Sequence, residues 1–481
     1  MLLVTSNGTG MGHVVRQTAV AQALSGRADV VLMSLSSGLS HLARDDLRTE
    51  YLPSYQRPWI PRHEWDRYLA DRVRALVTEV SADVVAFDGV APYWGLLRAR
   101  HALPDVAFAW FRRGMWRPGR NTAALRSTRF FDAVIEPGDL GDLRDRGPTR
   151  VLAARRVPPV SLLDVIEPMP RADAAAALGL DPDRPTALVT LGSGALGNDD
   201  AAATAAVAGL RGAGYAVALT RAALGGSGAA PDGAVVLSGV YPMAAYVRAF
   251  DVVVSAAGYN AVHEFVTAGV ATVLVPNLRT GVDDQLARAE GVADAGAAVV
   301  ADPREGAEGV VVAVRQAIAQ RVDLAERAVA LGARRGPGSQ VAADALLELV
   351  GGRRSDDPAD RAAYVATDAA ETAASAAQAV LGRDRLRRWA RRPAEAPSIR
   401  SRLAVDLELD APMTALWRGA SAPGSGARRL IVTSSLDAGL VDAADPVEHV
   451  LAGATSTYLD ERIAIARRTY DVRGVVPATA S

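Results

Sequence analysis

Short runs of β-branched and apolar residues alternate with helical patterns along most of this chain, and the alternation occurs twice. The first series starts with LLVTS at 2–6, passes through a helical stretch at 14–25, and continues with runs at 30–34, 83–88, 106–111 and 133–137. A Pro- and Arg-rich stretch interrupts it at 151–184. Alternation then restarts with runs at 186–192, 215–220, 234–239, 251–258, 271–277 and 297–302, and closes in helical patterns at 324–350. Strands separated by helices pair in parallel, so each series predicts a doubly wound α/β domain. The expected layout is a first domain at 1–150, a connector at 151–184, a second domain at 185–350 and an extension at 351–481. The extension has an Ala-rich helical pattern at 362–381, an Arg-dense segment at 383–392, breaks at 393–399 and 420–427, a strand-like run at 429–435 and a helical-looking stretch at 446–469. It reads equally as a small accessory domain or as a partly disordered tail.

Composition narrows the chemistry. All 53 basic residues are arginine, and the chain has no cysteine. Lysine-dependent chemistry (Schiff bases, a pyridoxal anchor, a Walker lysine) is excluded, as are disulfides, thiolate nucleophiles and Cys-ligated metals. A genome that favours arginine codons is the plain explanation for the missing lysine. Arginine holds anions but is a poor proton shuttle, so proton transfer near neutrality falls on six histidines and the carboxylates. A net charge of −1 argues against a general nucleic-acid binder. The opening MLLVTSNGTG lacks a basic leader, and no run approaches the roughly eighteen apolar residues of a membrane span. The expectation is a soluble, cytoplasmic protein.

Two glycine loops stand where ligands meet open α/β sheets, at the carboxyl ends of strands. The first, from Asn7 to His13 and including Gly10 and Gly12, follows the first run. As a dinucleotide fingerprint it fits poorly, because it lacks the third glycine and the second run ends at Ser34 rather than at an acidic residue. It reads instead as a turn that lets backbone approach a substrate and holds His13 at the sheet edge, or as a packing turn with an incidental histidine. Asp88 ends the run 83–88. In a sheet ordered 3-2-1-4-5 it neighbours the first loop, where it would fix the His13 tautomer and support its charged form, or simply cap a turn. The second loop is Gly192-Ser193-Gly194. With it goes Ser255–Ala261, which opens a helix whose free N–H groups suit a pyrophosphate. Glu264, one turn in, is placed to accept from ribose hydroxyls, or is a first-turn charge worth about 0.3–1 kcal/mol. Asp284 and Gln285 either read sugar hydroxyls or cap the next helix. Arg112, Arg113 and Trp116, with Arg117 and Arg120, follow the run 106–111. They rim an acceptor side, grip a lipid phosphate or anionic membrane surface, or form a solvated loop.

GTGMGH in the first half, and SAAGYNAVHEFVTAGVATVLVPN followed by DDQ in the second, resemble the GT-B glycosyltransferases, above all the MurG-like family 28 enzymes that transfer N-acetylglucosamine from UDP-GlcNAc. The chain is also similar, more broadly, to UDP-glucuronosyltransferases and macrolide glycosyltransferases. The resemblance covers about residues 1–350. It implies two Rossmann-like domains facing across a cleft. It also implies His13 as the acceptor-side base with Asp88 as its partner, and Gly258, Asn260 and Ala261 as the diphosphate-binding turn. Glu264 would bind the ribose, Asp284 with Gln285 the donor sugar, and Val240 the base through its main chain. The implied activity is inverting, metal-independent transfer of a hexose or N-acetylhexosamine from a UDP-sugar to a hydroxyl of a lipid-linked saccharide, polymer or small metabolite. No cofactor other than the co-substrate and no nucleic-acid partner is implied, and the inner face of the cell membrane is a further option for location. A UDP-sugar epimerase and a non-catalytic nucleotide-sugar binder are the alternatives. The sequence departs from the family at Val157–Ser161, where an Arg often follows a Gly-Asn-Pro run, at Gly192-Ser193-Gly194 in place of Gly-Gly-Ser, and at His263, where a small residue is commoner.

Overall fold

The computed structural model describes residues 1–6, 11–36, 39, 47–52, 62–192, 200–220, 231–352, 357–373, 429–433 and 448–452. The first sheet contains β1 (Leu2–Thr5), β2 (Val31–Ser34), β3 (Arg48–Tyr51), β4 (Val84–Asp88), β5 (Ala107–Phe111), β6 (Ala133–Pro137) and β7 (Arg155–Val157), in the order β3-β2-β1-β4-β5-β6-β7. The second contains β8 (Thr186–Thr190), β9 (Ala216–Thr220), β10 (Ala234–Leu237), β11 (Val252–Ala256), β12 (Ala271–Val275) and β13 (Val299–Val300), in the order β10-β9-β8-β11-β12-β13. Every pairing in both sheets is parallel. The helices are α1 (Gly12–Ala23), α2 (Arg62–Val80), α3 (Trp94–Ala102), α4 (Arg171–Ala177), α5 (Asp200–Gly212), α6 (Tyr259–Thr267), α7 (Gln285–Asp294), α8 (Gly306–Ala319), α9 (Arg321–Ala333) and α10 (Gly338–Leu347), followed by α11 at 358–373.

The apolar runs become strands because both faces are covered. Side chains alternate between faces, so Leu2, Val4, Val85, Phe87, Phe108 and Trp110 enter one core while Leu3, Val84, Ala86, Ala109 and Phe111 enter the other. In each sheet the first and fourth strands in chain order lie side by side, with Thr5 opposite Asp88 and Thr190 opposite Ser255. These pairs mark the points where strand order reverses, the crevices in which such sheets bind ligands.

The structure differs from the sequence-based layout in three places. β7 lies inside the expected connector yet joins the first sheet at its edge, with Arg155 and Arg156 exposed. α10 lies within the expected second domain, but Ala342, Ala343 and Leu346 pack into a core of the first. The stretch 446–469, expected to be helical, contains the strand β15 (Glu448–Ala452), which pairs antiparallel with β14 (Arg429–Thr433). The start of the extension, α11, lies on the first domain. Tyr364 stacks on Trp94 and His101 at ring distances of 5.5 and 4.2 Å, and Asp368 accepts from Trp94 Nε1 at 2.6 Å and Arg98 Nε at 2.7 Å.

Candidate active site between the two switch points

At the first switch point β4 ends in Asp88, which is fully buried, and α1 begins one residue before His13. Helical spacing puts Arg16 and Gln17 on the same face as His13. All three converge on Asp88. His13 Nδ1 lies 2.8 Å from Oδ1, Arg16 donates to Oδ2 from Nε at 2.8 Å and to Oδ1 from Nη2 at 2.5 Å, and Gln17 Nε2 donates to Oδ2 at 3.1 Å. A carboxylate only accepts, so Nδ1 carries the proton that faces Asp88, and in the neutral imidazole Nε2 then keeps its lone pair. Burial alone would raise the Asp88 carboxyl, but the Arg16 guanidinium and the His13 bond outweigh it and hold the group well below the usual carboxylate range. Burial lowers the His13 pKa against the pull of Asp88, and Arg16 and Arg113 add to the lowering.

At the second switch point Gly258 caps α6, whose first turn reaches the first domain. Asn260 Nδ2 donates to Gly12 O at 3.2 Å. The Tyr259 hydroxyl donates to Gly138 O and accepts from Val160 N, both at 3.0 Å. The Tyr259 ring lies under Arg16, whose Cζ is 4.9 Å from its centroid. Arg288, also fully buried, donates to Asp139 Oδ2 at 2.7 Å, to Ala257 O at 3.0 Å, and to Asp283 at 2.8 and 3.2 Å. Asp283 also pairs with Arg113 at 3.2 Å. Burial would raise the Asp283 carboxyl, but these two guanidiniums bring it down to about 2. Among the described residues no charged or hydrogen-bonding side chain lies against the buried Glu264 carboxyl, and burial pushes it up to about 8. Among the described residues no group of three or more His, Asp and Glu is arranged to hold a metal ion, and no helix is long and apolar enough to cross a membrane.

Residues 232–337 match the glycosyltransferase family 28 C-terminal domain. Solved structures of similar architecture include the glycosyltransferase SnogD from Streptomyces nogalater, with a TM-score of 0.51 and 18% identity over 72% of this chain and 98% of that one. The spinosyn rhamnosyltransferase SpnG also gives a TM-score of 0.51, at 15% identity, over 72% of this chain and 100% of that one. The fold is GT-B. A UDP-N-acetylglucosamine–N-acetylmuramyl-(pentapeptide) pyrophosphoryl-undecaprenol N-acetylglucosamine transferase from Nocardioides sp. (strain ATCC BAA-499 / JS614) is 36% identical over 171 residues. That match spans 34% of this chain and 45% of the relative, a little under half its length.

Within this GT-B fold the candidate residues fall into distinct groups. His13 and Asp88 are in contact, and Gly12 meets Asn260 across the domains. Gly258 and Ala261 lie in the same first turn of α6, and Glu264 follows them on that helix. Gly192 adopts φ +89, a left-handed conformation that favours glycine, at the end of β8. Val240 is half-buried against the core that contains Leu237 and Phe250. Gly10, Ser193 and Gly194 lie outside the described residues.

One expectation is corrected. Arg112 and Trp116 do not rim an acceptor site. Arg112 is buried against Glu136 and Thr128, each at 3.2 Å, and Trp116 is buried in the first-domain core, so neither is free to grip an anion. Arg113 does lie near His13, but its charge is engaged with Asp283. Asp284 accepts from Ala287 N at 3.2 Å and so caps the start of α7. Gln285 Oε1 accepts from Asn277 N at 3.0 Å and braces the same loop. His263 is also fully engaged: Nδ1 donates to Tyr259 O at 2.6 Å and Nε2 accepts from Leu140 N at 3.1 Å, and burial lowers its pKa to about 4.

Sequence reasoning missed Arg16, Gln17, Tyr259, Asp139 and Arg288. The first two were signalled by their spacing from His13. Asp139 and Arg288 are 149 positions apart and meet only because the domains do.

Proposed function

We propose that this chain is a glycosyltransferase that moves a hexose or N-acetylhexosamine from a UDP-sugar to an acceptor hydroxyl, with inversion and without a metal. The observation that carries the reading is the His13–Asp88 contact at 2.8 Å, one residue from the point where Gly12 O meets Asn260 of the donor-side helix. The acceptor hydroxyl gives its proton to His13 Nε2 as its oxygen attacks the anomeric carbon, and the bond to the diphosphate breaks with its electron pair leaving on UDP. The free N–H groups at the start of α6, from Gly258 to Ala261, lie where negative charge develops on the diphosphate. The Glu264 carboxyl accepts from the ribose hydroxyls.

N-acetylglucosamine and a lipid-linked saccharide are the donor sugar and acceptor to test first, because both appear in the name of the Nocardioides relative. A polymer or a small metabolite is the next acceptor class. The location that goes with a lipid-linked acceptor is the inner face of the cell membrane, reached by peripheral contact.

A thermal-shift screen of nucleotide sugars, followed by mass spectrometry of products with candidate acceptors, tests the proposal. UDP release that depends on acceptor, with a product heavier by one sugar, is the expected result. Conversion of the donor sugar without acceptor would indicate an epimerase instead. Donor binding with no turnover on any acceptor would indicate a non-catalytic binder.

A further inference from the structure

The surroundings of Asp88 set this pair apart from a simple histidine–aspartate dyad. In a dyad whose aspartate has no other cation, the full carboxylate charge is available to an imidazolium, and the histidine is a strong base. Here both Asp88 oxygens are already held by the Arg16 fork, at 2.8 and 2.5 Å, and Gln17 adds a further bond at 3.1 Å. Arg16 Nη2 also lies 3.1 Å from His13 Nδ1, so two donors aim at the same Asp88 oxygen. The charged groups facing His13 are Asp88 from β4, Arg16 from α1 and Arg113 from the segment after β5. Two of the three are cations. Arg16 is itself only 2% exposed, and its outer side lies over Tyr259, the first residue of the donor-side helix.

We infer that Arg16 is a positioning residue that takes up the Asp88 charge, so that Asp88 orients His13 as the neutral Nδ1–H tautomer rather than storing a proton on it. The inference deepens the proposed role of His13 as general base and rests on that reading. It gives Arg16 a task that bulk packing does not require: keeping Nε2 bare at neutral pH, ready to accept, and letting the proton leave again before the next turnover. The Tyr259 ring beneath the guanidinium ties this arrangement to the start of α6.

Nitrogen NMR of the full-length chain labelled with 15N-histidine tests it, with the His13 signals assigned by their loss in His13→Asn. In the unsubstituted protein at pH 7, His13 should show a protonated Nδ1 and a bare Nε2; an imidazolium or the opposite tautomer overturns the inference. In Arg16→Gln the whole Asp88 charge falls to His13, and its titration midpoint should rise by about 1–3 pH units. The acid limb of kcat/KM should move the same way, with donor KM changed less than about twofold. An unmoved midpoint in folded Arg16→Gln assigns Arg16 a purely structural role and overturns the inference. Arg16→Lys keeps the cation without the fork, so its midpoint should stay near the unsubstituted value while kcat falls by about tenfold; unchanged kcat counts against a positioning role. If no donor is ever turned over, the general-base reading fails on its own, while the NMR titration still decides what Arg16 does to His13.

Discussion

Arg288 Nε donates to Asp139 Oδ2 across the domain boundary at 2.7 Å, and both side chains are buried. The same guanidinium holds Asp283 and the Ala257 carbonyl. Arg288 thus joins the loop after β6, the segment before α6 and the segment before α7. Arg288→Met leaves the buried Asp139 and the half-buried Asp283 with part of their compensation gone. Breaking a buried pair from one side costs about 3–5 kcal/mol. The midpoint of urea unfolding, followed by tryptophan fluorescence, should fall accordingly; a midpoint within experimental error of the unsubstituted protein would show that the pair does not hold the domains together.

Replacing the proposed base gives the most direct test of mechanism. His13→Ala should lower the transfer rate by about 10²–10⁴-fold and leave UDP affinity, measured by calorimetry, unchanged. Equal loss of UDP binding would mean that the side chain builds the site rather than acting in it. Asp88→Asn should also lower the rate, but it should in addition destabilise the fold, because Arg16 is then buried without its anion.

Glu264 provides a pH signature. Burial raises its pKa from 4.5 to about 8, so the fold favours the protonated form. Its contribution to stability is complete below pH 4.5 and is lost as pH rises through about 8. Glu264→Gln should therefore gain stability relative to the unsubstituted protein as pH increases across that window, read from thermal unfolding at a series of pH values. Ribose hydroxyls donating to the carboxylate favour its anion. UDP binding at pH 7 should then release on the order of one proton, seen by calorimetry in buffers of different ionisation enthalpy, and Glu264→Gln should abolish the release.

The helix α11 should act as a clasp on the first domain. Tyr364 stacks with both Trp94 and His101, and each aromatic contact contributes about 0.5–1.5 kcal/mol beyond the area it buries. Tyr364→Ala should lower the unfolding midpoint and alter Trp94 emission. If neither changes, the contact is not maintained in solution.

Much of this architecture was readable in advance because its strands are apolar on both faces. β4 and β5 announce themselves as runs of Val, Ala and aromatic residues, and their neighbours follow from parallel order. β3 did not, for a physical reason. Its sequence is Arg-Thr-Glu-Tyr, and its buried Glu50 is neutralised by a fork of two bonds from Arg72 of α2, so an ion pair replaces the expected apolar side chain. β7 was hidden in the same way, as an edge strand whose two arginines face solvent. In the site, His13 and Asp88 were legible because one opens the helix that follows β1 and the other ends β4. Arg112 and Trp116 were misread because an arginine-and-tryptophan loop looks solvent-facing until Glu136, 24 residues on, is seen to bury it.

The cations along the domain boundary, Arg16, Arg113 and Arg288, are all guanidiniums, which no physiological alkalinity can discharge. Their partners Asp88, Asp139 and Asp283 are all held below the ordinary carboxylate value of 3.8. Their stabilising effect is present above that value and is lost only as acid passes through each lowered pKa. These ion pairs therefore keep their charges over the range in which His13 would gain and lose its proton. In the proposed reaction a proton changes hands beside these ion pairs without altering their charge.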